Sequence, residues 1–228
     1  MPVIAPAVAA DVKIFALSPY DVQNWGASTT NDLSNYATDA TGAVRSLYKI
    51  NVSAVPAGQI IVNSFTLSQV IQDNTLISNY ACSGYPMILG SLAESVAFVE
   101  GTKNGATPAD GANWTTSDGT TAFDNAGGDY DDDGAGRSTF NINAPATDAI
   151  GSTKVLDLTA TMQYALDNGL RFGDYVYILL RRDTEGIAST RLYRFYSNQW
   201  SNPAQYPSAS LDYTVAGGQI LGRWPRSA

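Results

Sequence analysis

Residues 100–136 read EGTKNGATPADGANWTTSDGTTAFDNAGGDYDDDGAG. The stretch holds seven Asp and eight Gly, together with Trp114, Phe123 and Tyr130. A flexible linker has no use for large aromatics at spaced positions. A core strand does not tolerate so many glycines. The remaining reading is a long ordered loop, laid on a β scaffold and pinned by its aromatics. Loops of this kind carry function or cover an exposed sheet.

On either side of it the chain reads strand after strand. Strands are expected over residues 11–17, 44–52, 59–71, 95–99, 138–142, 153–158, 174–182, 190–197 and 209–215. In RSLYKINV (45–52), Leu47, Lys49 and Asn51 alternate with Tyr48, Ile50 and Val52, so the two sets point to opposite faces. The run YVYILL (175–180) is almost wholly apolar, as in a central strand covered on both sides. One helix is expected over 160–168, with Thr159 as N-cap, Met162, Ala165 and Leu166 as its apolar stripe, and Gly169 at C′. Its expected role is packing across the mouth of a sandwich. The pattern predicts an all-β chain: an antiparallel β-sandwich of jelly-roll type with one short helix.

Composition narrows the function. At 228 residues the chain suits one large domain, expected over 11–215 with a 1–10 N-terminal arm and a 216–228 C-terminal arm. Charged residues make up 15% and the formal net charge is −8. Nucleic-acid affinity comes from Lys and Arg on phosphates, so no nucleic-acid partner is expected. There is no histidine, which removes His-dependent triads, His metal sites and the usual general base near neutral pH. The single cysteine, Cys82, reads as a buried structural thiol. No apolar run is long enough to span a membrane. The N-terminal MPVIAPAVAA has no basic n-region and reads as an extended arm or a first strand broken by Pro2 and Pro6. Nothing picks out a catalytic carboxylate pair, and the chain is expected not to be an enzyme.

Several segments, in order, carry a resemblance. They are NWGAS (24–28), RSLYKINVSAVPAG (45–58), VNSFTL (62–67), the opening block at 100–130, VLDLT (155–159) with the helix after it, and FYS (195–197) followed by Pro207 and LDY (211–213). Each is a weak motif alone, and the ordered set is moderately specific. Together, over residues 11–215, they resemble the DNRLRE-type domains, jelly-roll modules related to carbohydrate-binding modules. Phe123 stands where that family has a second Trp, and Asn198-Gln199 stands where it has a charged pair. Residues 73–92 diverge, and the tail 216–228 has no counterpart.

Candidate sites follow. Asp124, Asp129, Asp131, Asp132 and Asp133 form an acidic run, and Asp129, Asp131 and Asp133 are the candidate ligands for calcium, a cation that takes six to eight oxygens. The run lacks EF-hand spacing, and the alternative is a solvated turn with Arg137 as counter-charge. Trp200, in the polar loop 198–205, and Tyr206 are the candidates to stack on a sugar ring, while Trp25 and Trp114 read as core or loop-pinning aromatics. Arg181, Arg182, Arg191 and Arg194 read as a basic stripe on two neighbouring strands, or as neutralisers of local aspartates. In the tail, Ile220, Leu221, Arg223, Trp224 and Arg226 read as an arm that docks on a neighbouring subunit. The expected function is that of a non-enzymatic bacteriophage virion structural protein, such as a capsid decoration (cement) protein or other particle surface component. Its expected partners are major capsid or tail subunits and further copies of itself, in a virion assembled in the host cytoplasm. The alternative is a carbohydrate-binding module or adhesin, extracellular or at a bacterial cell surface, that binds surface glycans.

Overall fold

The computed structural model describes residues 2–34, 42–88, 98–107, 110–132, 134–185 and 191–215. These residues form two antiparallel six-stranded sheets and one α-helix. The first sheet runs β1 (Val3–Ile4), β12 (Ser208–Val215), β5 (Ile60–Asn74), β11 (Tyr193–Tyr196) and β3 (Thr30–Asp32), with β8 (Thr153–Asp157) also pairing to β5. The second runs β2 (Val8–Phe15), β4 (Val44–Asn51), β10 (Tyr175–Arg182), β6 (Tyr80–Pro86) and β7 (Ser138–Ile142), with β9 (Arg171–Phe172) on β10. The expected all-β sandwich of jelly-roll type is what the chain forms. Strand β7 has the expected bounds, and β4, β8, β10 and β12 differ from expectation by one residue at an end.

The alternation read from β4 holds. Tyr48, Ile50 and Val52 join Val176, Ile178 and Leu180 of β10 in the main core between the sheets. Phe65, Leu67 and Ile71 of β5 and Leu211 and Tyr213 of β12 meet them from the other side. Leu47 of β4 and Tyr177 and Leu179 of β10 point the opposite way, yet are also buried. They sit in a second core with Val12 and Ile14 of β2, Tyr85 of β6, and Phe98, Ala112 and Phe123 of the long loop, with Trp114 and Tyr130 packed on its border. The loop is therefore the third layer, covering the outer face of the second sheet. Burying each Leu or Phe there is worth about 1.5–3 kcal/mol, enough to hold a loop with little secondary structure of its own.

Polar staples tie the loop down. Asn24 is fully buried, and its amide donates to the carbonyls of Glu100 (2.8 Å) and Ala112 (3.0 Å) while its oxygen accepts from Lys103 N (3.1 Å). Arg45 of β4 donates to Gly127 O (2.9 Å), forms a two-pronged pair with Glu185 (2.8 and 2.7 Å), and lies 4.6 Å from the Trp114 ring centre. Gly127 has φ +94°, and a Cβ there would meet Arg45 Nη1 at 2.5 Å, so this glycine lets the guanidinium approach. The Asn24 and Arg45 segments, two of the motifs that carry the family resemblance, are thus the loop's anchors.

The helix α1 (Thr159–Asp167) packs against β5, β6, β7 and β10 and closes one end of the sandwich. It begins one residue earlier than the cap reading predicts. Thr159 is the first helical residue rather than the N-cap: its hydroxyl donates to Asp157 Oδ1 (2.6 Å) and accepts from Phe65 N (3.0 Å), so it ties the helix to β5. Gly169 takes the left-handed conformation expected after the helix, with φ +69°. Gln163 accepts from Val62 N (2.7 Å) and donates to Ile60 O (2.9 Å), standing in for a strand where β8 has ended.

Two differences from expectation have clear causes. Residues 98–99 are not in a strand, while 95–97 lie outside the described residues; Phe98 is instead a plug in the second core. Strand β6 was not anticipated, because ACSG (81–84) has weak β propensity; Gly84 is required there, since a Cβ would meet Leu158 Cδ2 at 2.6 Å. In the N-terminal segment the alternative of a first strand broken by proline holds: β1 pairs with β12, and β2 starts at Val8 in the other sheet, so residues 5–7 cross from one sheet to the other. Arg45→Met should lower stability by about 2 kcal/mol, because it leaves Glu185 with Arg181 alone and releases Gly127. The check is a urea titration paired with limited proteolysis: cleavage within 100–136 should rise ahead of global unfolding, and unchanged cleavage would remove Arg45 as the anchor.

Candidate functional site

Among the described residues the acidic run does not converge on one point. The Asp129 carboxylate accepts from the backbone N–H groups of Asp124 (3.0 Å) and Asn125 (2.7 Å), and closes its own turn. Asp131 accepts from the Tyr164 hydroxyl of α1, joining loop to helix. Asp133 lies outside the described residues. Among the described residues, no group of three or more His, Cys, Asp or Glu side chains is placed to hold a metal ion. Arg137, expected as the counter-charge of this turn, instead donates to Ser83 Oγ (2.8 Å) and Asp183 Oδ2 (2.6 Å).

Trp200 is half-buried rather than presented to solvent. Its ring packs on Tyr196 with centres 4.8 Å apart, and its indole N–H donates to Gln205 (3.0 Å). Tyr206, also half-buried, follows the short 3-10 turn Pro203–Gln205. The tail residues Ile220, Leu221, Arg223, Trp224 and Arg226 lie outside the described residues. The basic stripe does not form, because β10 and β11 belong to different sheets. Arg181 pairs with Glu185 (3.1 Å) on the loop side, Arg182 is buried with its guanidinium 3.7 Å from the Tyr80 ring centre, and Arg194 sits near Asp32 and Asp73. The period-2 rule assigns faces within a strand, but not which sheet a strand joins. Cys82 is fully buried, and burial pushes its thiol up to about 12, consistent with a structural role.

Two features escaped the sequence reading. The first is a polar corner where the edge strands β2 and β3 approach each other. Lys13 of β2 reaches across to Thr30 Oγ1 (2.8 Å) and to both oxygens of Asp32 (3.5 Å each). Asp32 is fully buried, and Arg194 Nε lies 3.5 Å from it. Burial pushes the Lys13 ammonium down, with Asp32 opposing that shift and Arg194 adding to it. Beside this corner lies a cavity of about 410 Å³, within the range of about 300–1,000 Å³ usual for small-molecule sites. Its walls include the aromatic trio Phe15, Tyr20 and Trp25, whose ring centres stand 4.9–6.1 Å apart. Trp25, read as a loop pin, thus has a second surface on a cavity. Its signal in sequence was only the LysIlePhe end of β2 and the nearby Tyr20 and Trp25, which look like ordinary core residues until the chain is folded.

The second is a carboxyl pair. Asp11 of β2 is 1% exposed, and its Oδ2 accepts from Asn198 N (3.0 Å). Glu100, at the start of the long loop, accepts from Asp11 N (3.2 Å) and Gln199 Nε2 (3.2 Å). Asn198 and Gln199 therefore bridge two carboxyl groups. Burial first, then the charge of Glu100, pushes Asp11 up to about 7, against the hydrogen bonds from Asn198 and Asn31. The unfolded value of Asp11 is near 3.9, so between about pH 4 and 7 the folded state holds the extra proton. Stability from this group is therefore complete below about pH 4 and is lost as pH rises to about 7. Asp11→Asn should remove that decline. Urea midpoints measured from pH 4 to 8 should show wild type losing ground relative to the variant; parallel curves would mean that Asp11 does not titrate in this range.

No protein-family model and no curated protein matches the chain.

Proposed function

We propose that the chain is a non-enzymatic structural protein of a particle surface: a capsid decoration (cement) protein, or another surface component, of a bacteriophage virion. Its partners in this reading are neighbouring capsid or tail subunits and further copies of itself. The ordered motifs that resemble a DNRLRE-type domain support the jelly-roll frame on which the reading rests.

The observation that carries it is the asymmetry of the two outer faces. The second sheet is covered by the long loop, whereas among the described residues the first sheet's outer face carries half-buried and exposed side chains. Along β5 the buried Ile60, Val62, Phe65, Leu67, Gln69 and Ile71 alternate with the less buried Ile61, Thr66, Ser68 and Val70. Beside these stand Val155 of β8, 56% exposed, and the exposed Ser208 and Ser210 of β12. Asp157 and Asp212 stand on the same face, and the hydroxyl and β-branched side chains around them suit packing against another protein. In sequence, the tail with Ile220, Leu221 and Trp224 follows β12, a strand of this same sheet.

The experiment is sedimentation velocity over a range of concentrations on three proteins: the full chain, a chain lacking Ile220–Ala228, and the Ile61→Lys, Val155→Lys double variant. The full chain should self-associate, and both altered forms should shift toward monomer by at least tenfold in concentration. Identical behaviour of all three would overturn the reading.

A second reading, a carbohydrate-binding module or adhesin of a bacterial surface, is favoured by the Tyr196–Trp200 ring pair. Under that reading Trp200→Ala should abolish retention on a glycan array, and no retention of the wild-type protein on any glycan would exclude it.

A further inference from the structure

The outer face of the first sheet carries two acidic side chains: Asp157 of β8, exposed, and Asp212 of β12, half-buried. Asp157 accepts from Thr159 N (3.0 Å) and from its hydroxyl (2.6 Å), and Asp212 accepts from the Asn63 amide (3.3 Å). Among the described residues neither takes part in a salt bridge. Arg137 borders the cavity beside Asp157, but its guanidinium is bound to Asp183 (2.6 Å). The strand positions around the two carboxylates are uncharged: Val3, Ile61, Ser64, Thr66, Ser210 and Thr214.

Strand pairing fixes the spacing of these carboxylates. Asp212 lies opposite Ser64 of β5, while Ser210 and Asp157 lie opposite Thr66 on the two sides of β5. Two strand spacings across and two residues along put the Asp212 and Asp157 backbones about 12 Å apart. A complement is present in the same chain. Residues 216–228 read AGGQILGRWPRSA, with two arginines, no acidic side chain, and the apolar Ile220, Leu221 and Trp224. Proline and the residue before it favour extended or polyproline II backbone. Polyproline II repeats every three residues with a rise of about 9 Å, so in that conformation Arg223 and Arg226 of RWPR fall on one side at that spacing. The long arginine side chains span the difference.

We infer that residues 220–226 of one copy dock on the outer face of the first sheet of a second copy. Arg223 and Arg226 pair with Asp212 and Asp157, and Ile220, Leu221 and Trp224 lie against the exposed Val3, Ile61 and Val155. This docking rests on the self-association proposed above and names its two contacting surfaces. Both halves belong to one polypeptide, so a two-fold pair of chains makes the contact twice and leaves neither half unfilled. Exposed ion pairs are worth little singly. The aspartates therefore select partner and register, while the apolar contact supplies the adhesion.

The test is sedimentation velocity on full chains with reversed charges. A face variant carries Asp157→Arg and Asp212→Arg, and a tail variant carries Arg223→Asp and Arg226→Asp. Each alone should self-associate at least tenfold more weakly than wild type. Their equimolar mixture should recover most of that loss, because each tail then meets a face of opposite charge. Asp157 also accepts from Thr159 at the start of α1, so Asp212→Arg alone serves as the milder face variant. It should weaken association severalfold with an unchanged urea midpoint, and the same tail variant should rescue it. If both variants associate as well as an associating wild type, the docking falls while the particle reading stands. A wild type that stays monomeric removes that reading and the docking with it. Weakened variants whose mixture stays weak would overturn the pairing between copies. Recovery only when all four substitutions share one chain would seat the tail on its own sheet and overturn the second copy as its partner.

Discussion

Leu47 and Leu179 lie on the outside of a sheet and are nonetheless fully buried. Much of the molecule depends on that constraint. Strands β4 and β10 are apolar on both faces, so the sheet that contains them cannot meet water on its outer side without exposing Leu47, Tyr177 and Leu179 together. The chain meets the need with the 98–130 segment, a layer built from glycines for close approach and aromatics for adhesion. Phe98, Ala112 and Phe123 enter the second core, while Trp114 and Tyr130 flank the Arg45 guanidinium. A sandwich of two sheets thereby becomes three layers among the described residues, and the proposed contacts with other subunits concern the outer face of the first sheet.

Arg45 and Asn24 show how a loop with almost no ladder of its own is kept in register. Asn24 spends its amide donors and acceptor on the loop's first turns, and Arg45 reaches its later ones. Both residues are anchored in the body, Arg45 on β4 and Asn24 just after the Tyr20–Val22 turn. The same logic governs the acidic residues. Asp118 and Asp129 accept N–H groups of their own turns, and Asp131 accepts from α1. Carboxylates do here what a hydrogen-bond ladder does in a strand: they satisfy backbone donors that the covered surface would otherwise leave bare. The polar corner at β2 and β3 is the other departure from a plain apolar sandwich. There Lys13, Asp32 and Arg194 replace hydrophobic filling, and a cavity opens beside them.

The frame was legible because its signals are local. Alternation in RSLYKINV assigned opposite faces correctly, the apolar run in β10 announced cover on both sides, and the aromatics of 100–136 marked that segment as the cover. Local signals failed where the deciding partner was remote. Strand β6 has small, weakly strand-forming residues because Leu158 and Leu180 occupy the space above Gly84. Thr159 looked like a helix cap, but its hydroxyl is used by Phe65 of β5. The four arginines looked like neighbours because β10 and β11 are close in sequence, although the two strands enter different sheets.

By itself, then, the sequence determined the all-β class, the helix, the buried thiol and the covering role of the long loop, since periodicity, turn chemistry and aromatic spacing act over a few residues. Only the tertiary structure decided which charges meet. Asp11 with Glu100, Lys13 with Asp32 and Arg194, and Arg45 with Glu185 join residues from 19 to 181 positions apart in the chain. Electrostatic and hydrogen-bonding partners of that kind are set by strand order and sheet closure, which no local pattern encodes. The candidate site, a cavity at the meeting of two sheet edges, is therefore a property of the fold before it is a property of any segment.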